Sequence, residues 1–550
     1  MSSRFAALFT ILSACLYLSA DAQAPDIEIV ALTGQQVPGA TPGVTFCDFS
    51  FRGPTLNSSG QTTFVAESAS LCRFNDDRGI YSSGSGSGSL AELAREGTQV
   101  PNASAGVVFS DFESGFNVLN DSGQSAFVAD LRGTGVGNSN NSGVYGSRFG
   151  RLEQIARTGD QAPGVTPGVV FTRFGGWLAI NASGQTAFMA DLTGGFPNSG
   201  IFSEGSGTLA MVAHTGDEVP DSDPDISFGS FSFPSINASG KTAFRASLSG
   251  PGINDSGIYS DRHGELEQIA QTGGQVPNAT SGTVFSSIGH NPTINASGEI
   301  VFVASLSGES INLNNSRGIY SDRSGTLTEV VRAGDHAPNA DPGVVFSSAG
   351  FGFPAHNASG QIAFRSNLLG AGVDATNNAA IYIGGSATLT QIAREGNQAP
   401  DADPGVLLGD LWEEPLLNAL GQTAFETILT GKDVRDWNDV GIYATDIDGD
   451  LVEIIREGKQ IDVNEDPLIT DLRTVRTLSL FSSISDGGGH RSGFNDKGQI
   501  AFVARFTDDS EGIFLSNLVA VPEPSNLAFL VFAAIGLLKF RRDISQFRTC

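Results

Sequence analysis

The string Asn237-Ala-Ser-Gly-Lys-Thr-Ala-Phe244 constrains this chain most, because near copies of it return along almost the whole length. The copies, Asn-x-x-Gly-x-x-(Ala)-Phe, begin at Asn57, Asn120, Asn181, Asn237, Asn295, Asn357, Asn418 and Asn495, in steps of 63, 61, 56, 58, 62, 61 and 77 residues. A period of this size means a repeat architecture. Asn tolerates the left-handed region and bonds its own backbone, and Gly takes positive φ without a Cβ clash, so the pair makes a tight reversal. After each reversal the apolar residues alternate: Phe244, Ala246 and Leu248, or Phe302, Ala304 and Leu306. Period two is a strand signal. The motif therefore reads as a hairpin device and not as a ligand site.

Two further strings keep step with it. One runs from Leu90 to Pro101, Leu152 to Pro163, Leu209 to Pro220, Leu266 to Pro277, Leu327 to Pro338 and Leu389 to Pro400, with a variant at Leu451 to Asp462 and a fragment at Ile27 to Pro38. The other is Gly-Ile-Tyr or a variant, ending at Tyr81, Tyr145, Phe202, Tyr259, Tyr320, Tyr382, Tyr443 and Phe514. One unit then holds a Phe-rich strand near Phe228 to Ile236, a strand from Thr242 to Leu248, one from Gly257 to Asp261 and one from Glu265 to Gln271. Four short strands in about sixty residues make a propeller blade. The mature chain opens on an isolated fourth strand at Ile27 to Gly34, continues through seven units, and ends on three strands. The fragments are complementary, so the expectation is an all-β, eight-bladed propeller in which the N-terminal strand completes the last blade and removes two sheet edges. A linear array of small β units is the alternative. The extra residues from Asp462 to Arg476 read as an inserted loop, and the Gly/Asn-rich loops Gly133 to Ser142 and Gly370 to Asn378 as places to build a binding surface.

A net charge of −28, from 31 basic and 59 acidic side chains, repels phosphate backbones, and no basic patch with interleaved aromatics is present. Nucleic acid is excluded as a partner. Residues 1–22 carry Arg4, an apolar run from Phe5 to Leu18 and the small-residue site Ala20-Asp21-Ala22, which together read as a secretory signal peptide, with an uncleaved anchor as the alternative. The repeat domain spans 25–518. Within it Cys47 and Cys72 are the only cysteines. About the reversal at Asn57, residue 47 faces roughly residue 70, so in an oxidising compartment a disulfide between them is expected, contributing about 3 kcal/mol.

Residues 519–550 hold Pro522, Glu523 and Pro524, then the apolar run Leu527 to Leu538, then Lys539, Arg541 and Arg542. This resembles the PEP-CTERM sorting signal of exported bacterial proteins. The resemblance implies a short hydrophobic helix held transiently in the membrane, a basic cluster on the cytoplasmic side, and an exosortase as processing partner. A plain C-terminal anchor is the alternative. The middle of the chain resembles the choice-of-anchor tandem-repeat family named for the Asn-x-x-Gly-x-x-Ala-Phe motif, which implies an exported, surface-associated protein and no particular chemistry.

The six histidines, His214, His263, His290, His336, His356 and His490, show no metal spacing, and no nucleophile elbow, P-loop or dinucleotide fingerprint occurs. Asp160, Asp217 and Asp335 fall in Gly-Asp-x-x-Pro turns. Asp446-Ile-Asp448-Gly-Asp450 resembles part of a calcium loop but lacks the closing Glu. The expectation is a non-enzymatic cell-surface or matrix protein that needs no cofactor and binds polysaccharide or other surface material through its loops. The alternative is a secreted propeller hydrolase or lyase acting on glycans, with acid and base from different blades.

Overall fold

The computed structural model describes residues 27–49, 53–69, 77–84, 89–112, 117–148, 150–250, 255–323, 325–385, 388–411, 414–464, 466, 468–480, 489–490 and 492–519. The predicted signal peptide, the sorting signal with its helix, and Cys72 lie outside them.

The chain forms eight antiparallel sheets of the predicted four-strand order. In blade 4 an inner strand, Ser227–Phe231 continued by Ser235–Ile236, pairs with Thr242–Ser249, which pairs with Ser256–Ser260, which pairs with the outer strand Glu267–Gln271. The Phe-rich segment, expected as one strand, is thus two short pieces with a kink between them in most blades. In blade 3 the pieces join as Val170–Ile180, with a register shift between Phe174 and Leu178. The outer strand carries a bulge where it passes the aromatic of the third: Val144 faces Ala156 while Tyr145 faces Gln154, leaving Ile155 between them. That bulge is why the apolar residues of this string do not alternate.

Closure follows the expected scheme. Blade 8 takes Leu472–Leu480, Ile500–Phe506 and Glu511–Ser516 from the end of the chain and Ile27–Leu32 from its beginning, with Ile27 opposite Ser516 and Leu32 opposite Gly512. Ser516 is paired on its other side with Ile500. The chain is an eight-bladed β-propeller.

The blades pack through aromatic clusters at the repeated positions. In blade 4 Phe228, Phe231, Phe244 and Tyr259 lie with ring centroids 4.8–6.3 Å apart, the closest pair edge to face. In blade 4 the Gly of Gly-Ile-Tyr makes room for the ring, since a Cβ on Gly257 would lie 2.6 Å from the Tyr259 hydroxyl. All six tyrosines of these strings are buried, so they form core and not a binding platform.

Each motif Asn does two jobs. Asn181 Oδ1 accepts from the backbone N–H of Ser183 and of Gln185, both at 3.0 Å, and so shapes its own turn. Its Nδ2 donates to Gln185 Oε1 at 2.7 Å and to the carbonyl of Asn237, in the next blade, at 3.0 Å. The same link joins Asn57 to Asn120, Asn120 to Asn181, Asn237 to Asn295, Asn295 to Asn357, Asn357 to Asn418, Asn418 to Asn495, and Asn495 back to Asn57, at 2.8–3.2 Å. Eight buried side chains thus hydrogen-bond in a closed circle. Because one bond spans each step, these strand ends stand closest to the axis, and the strands that lead to them form the wall of the central channel.

The long step before Asn495 is not one inserted loop. Gln460 bridges Thr474 where Gln275 bridges Val284, so part of the excess sits in a hairpin of Gln460–Asp462 with Leu472–Leu480. The larger part lies between Leu480 and Asn495. There Gly489–His490 pairs with Leu119 and Asn120 of blade 2, and Ser492 accepts from the Leu56 N–H of blade 1 at 2.9 Å. Gly489–His490 and Ser492 thus reach the inner strands of two other blades.

Candidate functional site

Most residues singled out by sequence serve the scaffold. Asp217 and Asp335 accept from the N–H of His214 and Arg332 at 2.8 Å, as turn residues should. Asp446 accepts from Asp448 and Asp450, an ordinary Asx turn. Among the described residues no group of three or more His, Cys, Asp or Glu could hold a metal ion. The loops at Gly133 to Ser142 and Gly370 to Asn378 differ in sequence yet share one pin: Asn140 Nδ2 donates to Gly135 and Asn377 Nδ2 to Gly372, both at 2.9 Å. Cys47 is disulfide-bonded, and the other cysteines fall outside the described residues. It sits at a bulge facing Glu67 and Ser68, not residue 70, because the kink puts extra residues on the inner strand.

Function should be sought where the copies differ, and two places stand out. The first is the kink of the inner strand, four residues before each motif Asn. The described residues at this position are Gly53, Trp177, Phe233, Asn291, Phe353 and Glu414. No regular ladder pairing dictates them, since the kink interrupts the register of the inner strand. Trp177 and Phe233, on neighbouring blades, stack with centroids 5.6 Å apart and planes at 28°, and both remain half-buried. Gly175 makes this possible, as a Cβ there would come within 3.0 Å of the Phe233 ring. Next to Phe233, Ser232 Oγ donates to the carbonyl of His290 in blade 5 at 2.7 Å, and the His290 side chain is exposed.

The second place is a cleft of about 340 Å³ on the face that carries the Asn turns, lined by Arg262, His263, Ser297, Glu299, Arg323 and Ser359 among others. Six blades carry Gln four residues after the motif Asn, whereas blade 5 carries Glu299. Seven carry an apolar residue just before the Asn, whereas blade 6 carries His356. The two exceptions meet: His356 Nε2 lies 3.5 Å from Glu299 Oε2 and 3.1 Å from Asn295 Nδ2, and both side chains are buried. Ser321 Oγ donates to Glu299 Oε1 at 2.6 Å. Burial pushes the Glu299 carboxyl upward, but the bonds from His356 and Ser321 outweigh it and hold the group below its ordinary range. The imidazole does not lie between the hydroxyl and the carboxylate, so this is no nucleophilic triad. Beside it Arg262, almost buried, bonds Asp322 at 2.7 Å and Glu267 at 2.6 Å. Neither departure was legible as a site, because each pair is brought together by the ring and not by sequence spacing.

With this geometry in hand, comparison with known proteins places the chain. A model described as a family of unknown function (DUF7453) matches residues 14–199, 75–278 and 195–528. The chain belongs to this family. No curated protein matches it. Among solved structures, the chain is similar to an oligogalacturonate lyase in complex with manganese, at 12% identity and a TM-score of 0.36, over 90% of this chain and 98% of that one. It is also similar to the polysaccharide lyase Uly1, at 8% identity and 0.34, over 77% and 94%. A third likeness is to Trypanosoma rangeli sialidase, at 9% and 0.26, over 92% of this chain and 63% of that one. Likenesses this distant bring no activity to this DUF7453 chain. Among its described residues no helix is long and apolar enough to cross a membrane.

Proposed function

We propose that this protein is an exported cell-surface or matrix component that binds polysaccharide, without chemically altering it, on the wall of the propeller channel. The observation that carries the reading is the Trp177–Phe233 pair. The aromatics of the repeated strings are fully buried, while these two hold a stacked, half-exposed surface on the channel side. A flat apolar surface suits a pyranose ring, whose axial C–H groups stack on it.

Retention of the purified protein on a glycan panel tests this, with released sugars measured in parallel. Retention without release is expected, and Trp177→Ala should abolish it. Release of sugars would favour the hydrolase or lyase instead. The export route rests on the two terminal signals and calls for exosortase processing near Pro522, Glu523 and Pro524. Intact-mass measurement of the extracellular form should find residues before about Ala22 and the cluster Lys539, Arg541 and Arg542 removed; retained Arg542 would defeat this route.

A further inference from the structure

We propose that the channel wall between blades 4 and 5 is a site for a carboxylate-bearing sugar: Arg245 and His290 take the carboxylate, and the Trp177–Phe233 pair takes the face of the ring. This rests on the polysaccharide reading and narrows it to acidic glycans.

Arg245 follows Phe244 on Thr242–Ser249. Strand alternation sends the Phe244 ring into its own blade's aromatic cluster and Arg245 out of the opposite face, toward blade 5. There its Nε donates to the Ile288 carbonyl at 3.0 Å. Val65, Val128, Met189, Val303 and Val503 hold the same place in five other blades; blade 7 carries Glu426 there, and blade 6 carries Arg365, whose Nε likewise donates to a carbonyl of the next blade, that of Leu411. Several other arginines of this acidic chain pair with carboxylates, as Arg78 does with Glu67, Arg148 with Glu204 and Arg262 with Asp322. Among the described residues no carboxylate forms an ion pair with Arg245, and burial pushes its pKa down. A half-buried guanidinium without a counter-ion gains most from an anion presented with fork geometry, which a carboxylate provides.

The surrounding groups belong to one hydrogen-bonded unit. The Ser232 N–H donates to the Arg245 carbonyl at 2.9 Å, and Ser232 Oγ donates to the His290 carbonyl at 2.7 Å. Phe233, the next residue, carries the stack with Trp177. Burial and the Arg245 charge hold the His290 pKa below the ordinary imidazole value, so at neutral pH the ring is an uncharged hydrogen-bonding group beside the guanidinium. Ser232 thus ties the backbones of Arg245 and His290 to the residue that carries the stack, and the Arg245 charge is felt at the His290 ring, which groups a cation, an imidazole and an aromatic surface about one residue.

The experiment compares binding of the full chain to alginate, to carboxyl-reduced alginate and to dextran. Tighter binding to alginate is expected, weakening with salt. Arg245→Gln should lose roughly 10- to 100-fold on alginate, the worth of a charge-assisted pair, and leave binding to the reduced polymer unchanged, which also reports that the variant is folded. His290→Ala, at an exposed position, gives a smaller loss of the same selectivity and stands in if Arg245→Gln does not fold. Equal binding to alginate and its reduced form, or unaltered alginate binding by both variants, overturns the acidic-sugar site while leaving the polysaccharide reading intact. Failure of every polymer to bind overturns both.

Discussion

Four residues separate the motif Asn from the kink that precedes it, and the two positions obey opposite rules. At the Asn, eight copies agree, the side chain is buried, and each hydrogen-bonding atom is committed to its own turn or to the next blade. At the kink, the described copies range from Gly53 to Trp177 to Glu414, with no residue type held in common. A repeat held by such a ring can let the neighbouring position vary freely, because closure does not depend on it. Agreement among copies therefore marks scaffold, and disagreement marks the place where one molecule differs from another.

The comparison is broken most forcefully by opening the ring. Deleting residues 27–32 should cost about 5 kcal/mol or more, from burial lost around Ala31, Leu32 and their half-buried neighbours. Hydrogen exchange should show protection lost in Ile500–Phe506, at the far end of the chain. Protection that persists there would contradict a closed ring. Next in size, Asn181→Ala strands the N–H groups of Ser183 and Gln185 and the buried Asn237 carbonyl, for about 3 kcal/mol by chemical denaturation.

The exception in blades 5 and 6 sharpens the contrast. His356→Leu alone removes a partner from buried Glu299 and should cost about 2 kcal/mol. The double variant Glu299→Gln, His356→Leu restores the pattern of the other blades and should lie within about 1 kcal/mol of the parent. A double variant no better than the single would mean that the pair is not a coupled departure from the repeat.

A smaller effect depends on pH. The Glu457 carboxyl is buried and is pushed up to about 7 from 4.5, with desolvation the largest cause. The native state then holds a proton that the unfolded chain releases between those values, so stability falls as pH rises from about 4.5 through about 7. Glu457→Gln removes that loss: it should stabilise the protein by about 1–2 kcal/mol at pH 8 and not at all at pH 4. A gain of equal size at both pH values would point to another cause. Smallest of all, Trp177→Ala should shift stability by less than about 1 kcal/mol while removing glycan retention, the reverse of Asn181→Ala.

What could be read from sequence divides along the same line. The period, the alternation after each Asn and the complementary end fragments were enough for the blade, the count and the closure, because each is a local pattern repeated. The Asn was legible as a turn residue, but its second amide bond reaches a residue some sixty positions away and leaves no trace in any single copy. The kink was hidden because Phe228 to Ile236 is apolar throughout and reads as one strand. His356 and Glu299 lie in different repeats, and Arg245 gains its meaning only from what blade 5 places beside it. In each case the decisive neighbour is supplied by the ring.

Ser516 is paired on one side with Ile27 and on the other with Ile500. Tension applied through the chain that follows Val519 would enter the fold through this central strand, pulling along its length. The hydrogen bonds of both flanking ladders lie across that direction, so they are loaded together in shear and cannot break in succession as those of an unzipping hairpin do. The strand that closes the ring is thereby also its mechanical clasp, and a protein tethered by its C-terminal side would meet drag with its most force-resistant seam.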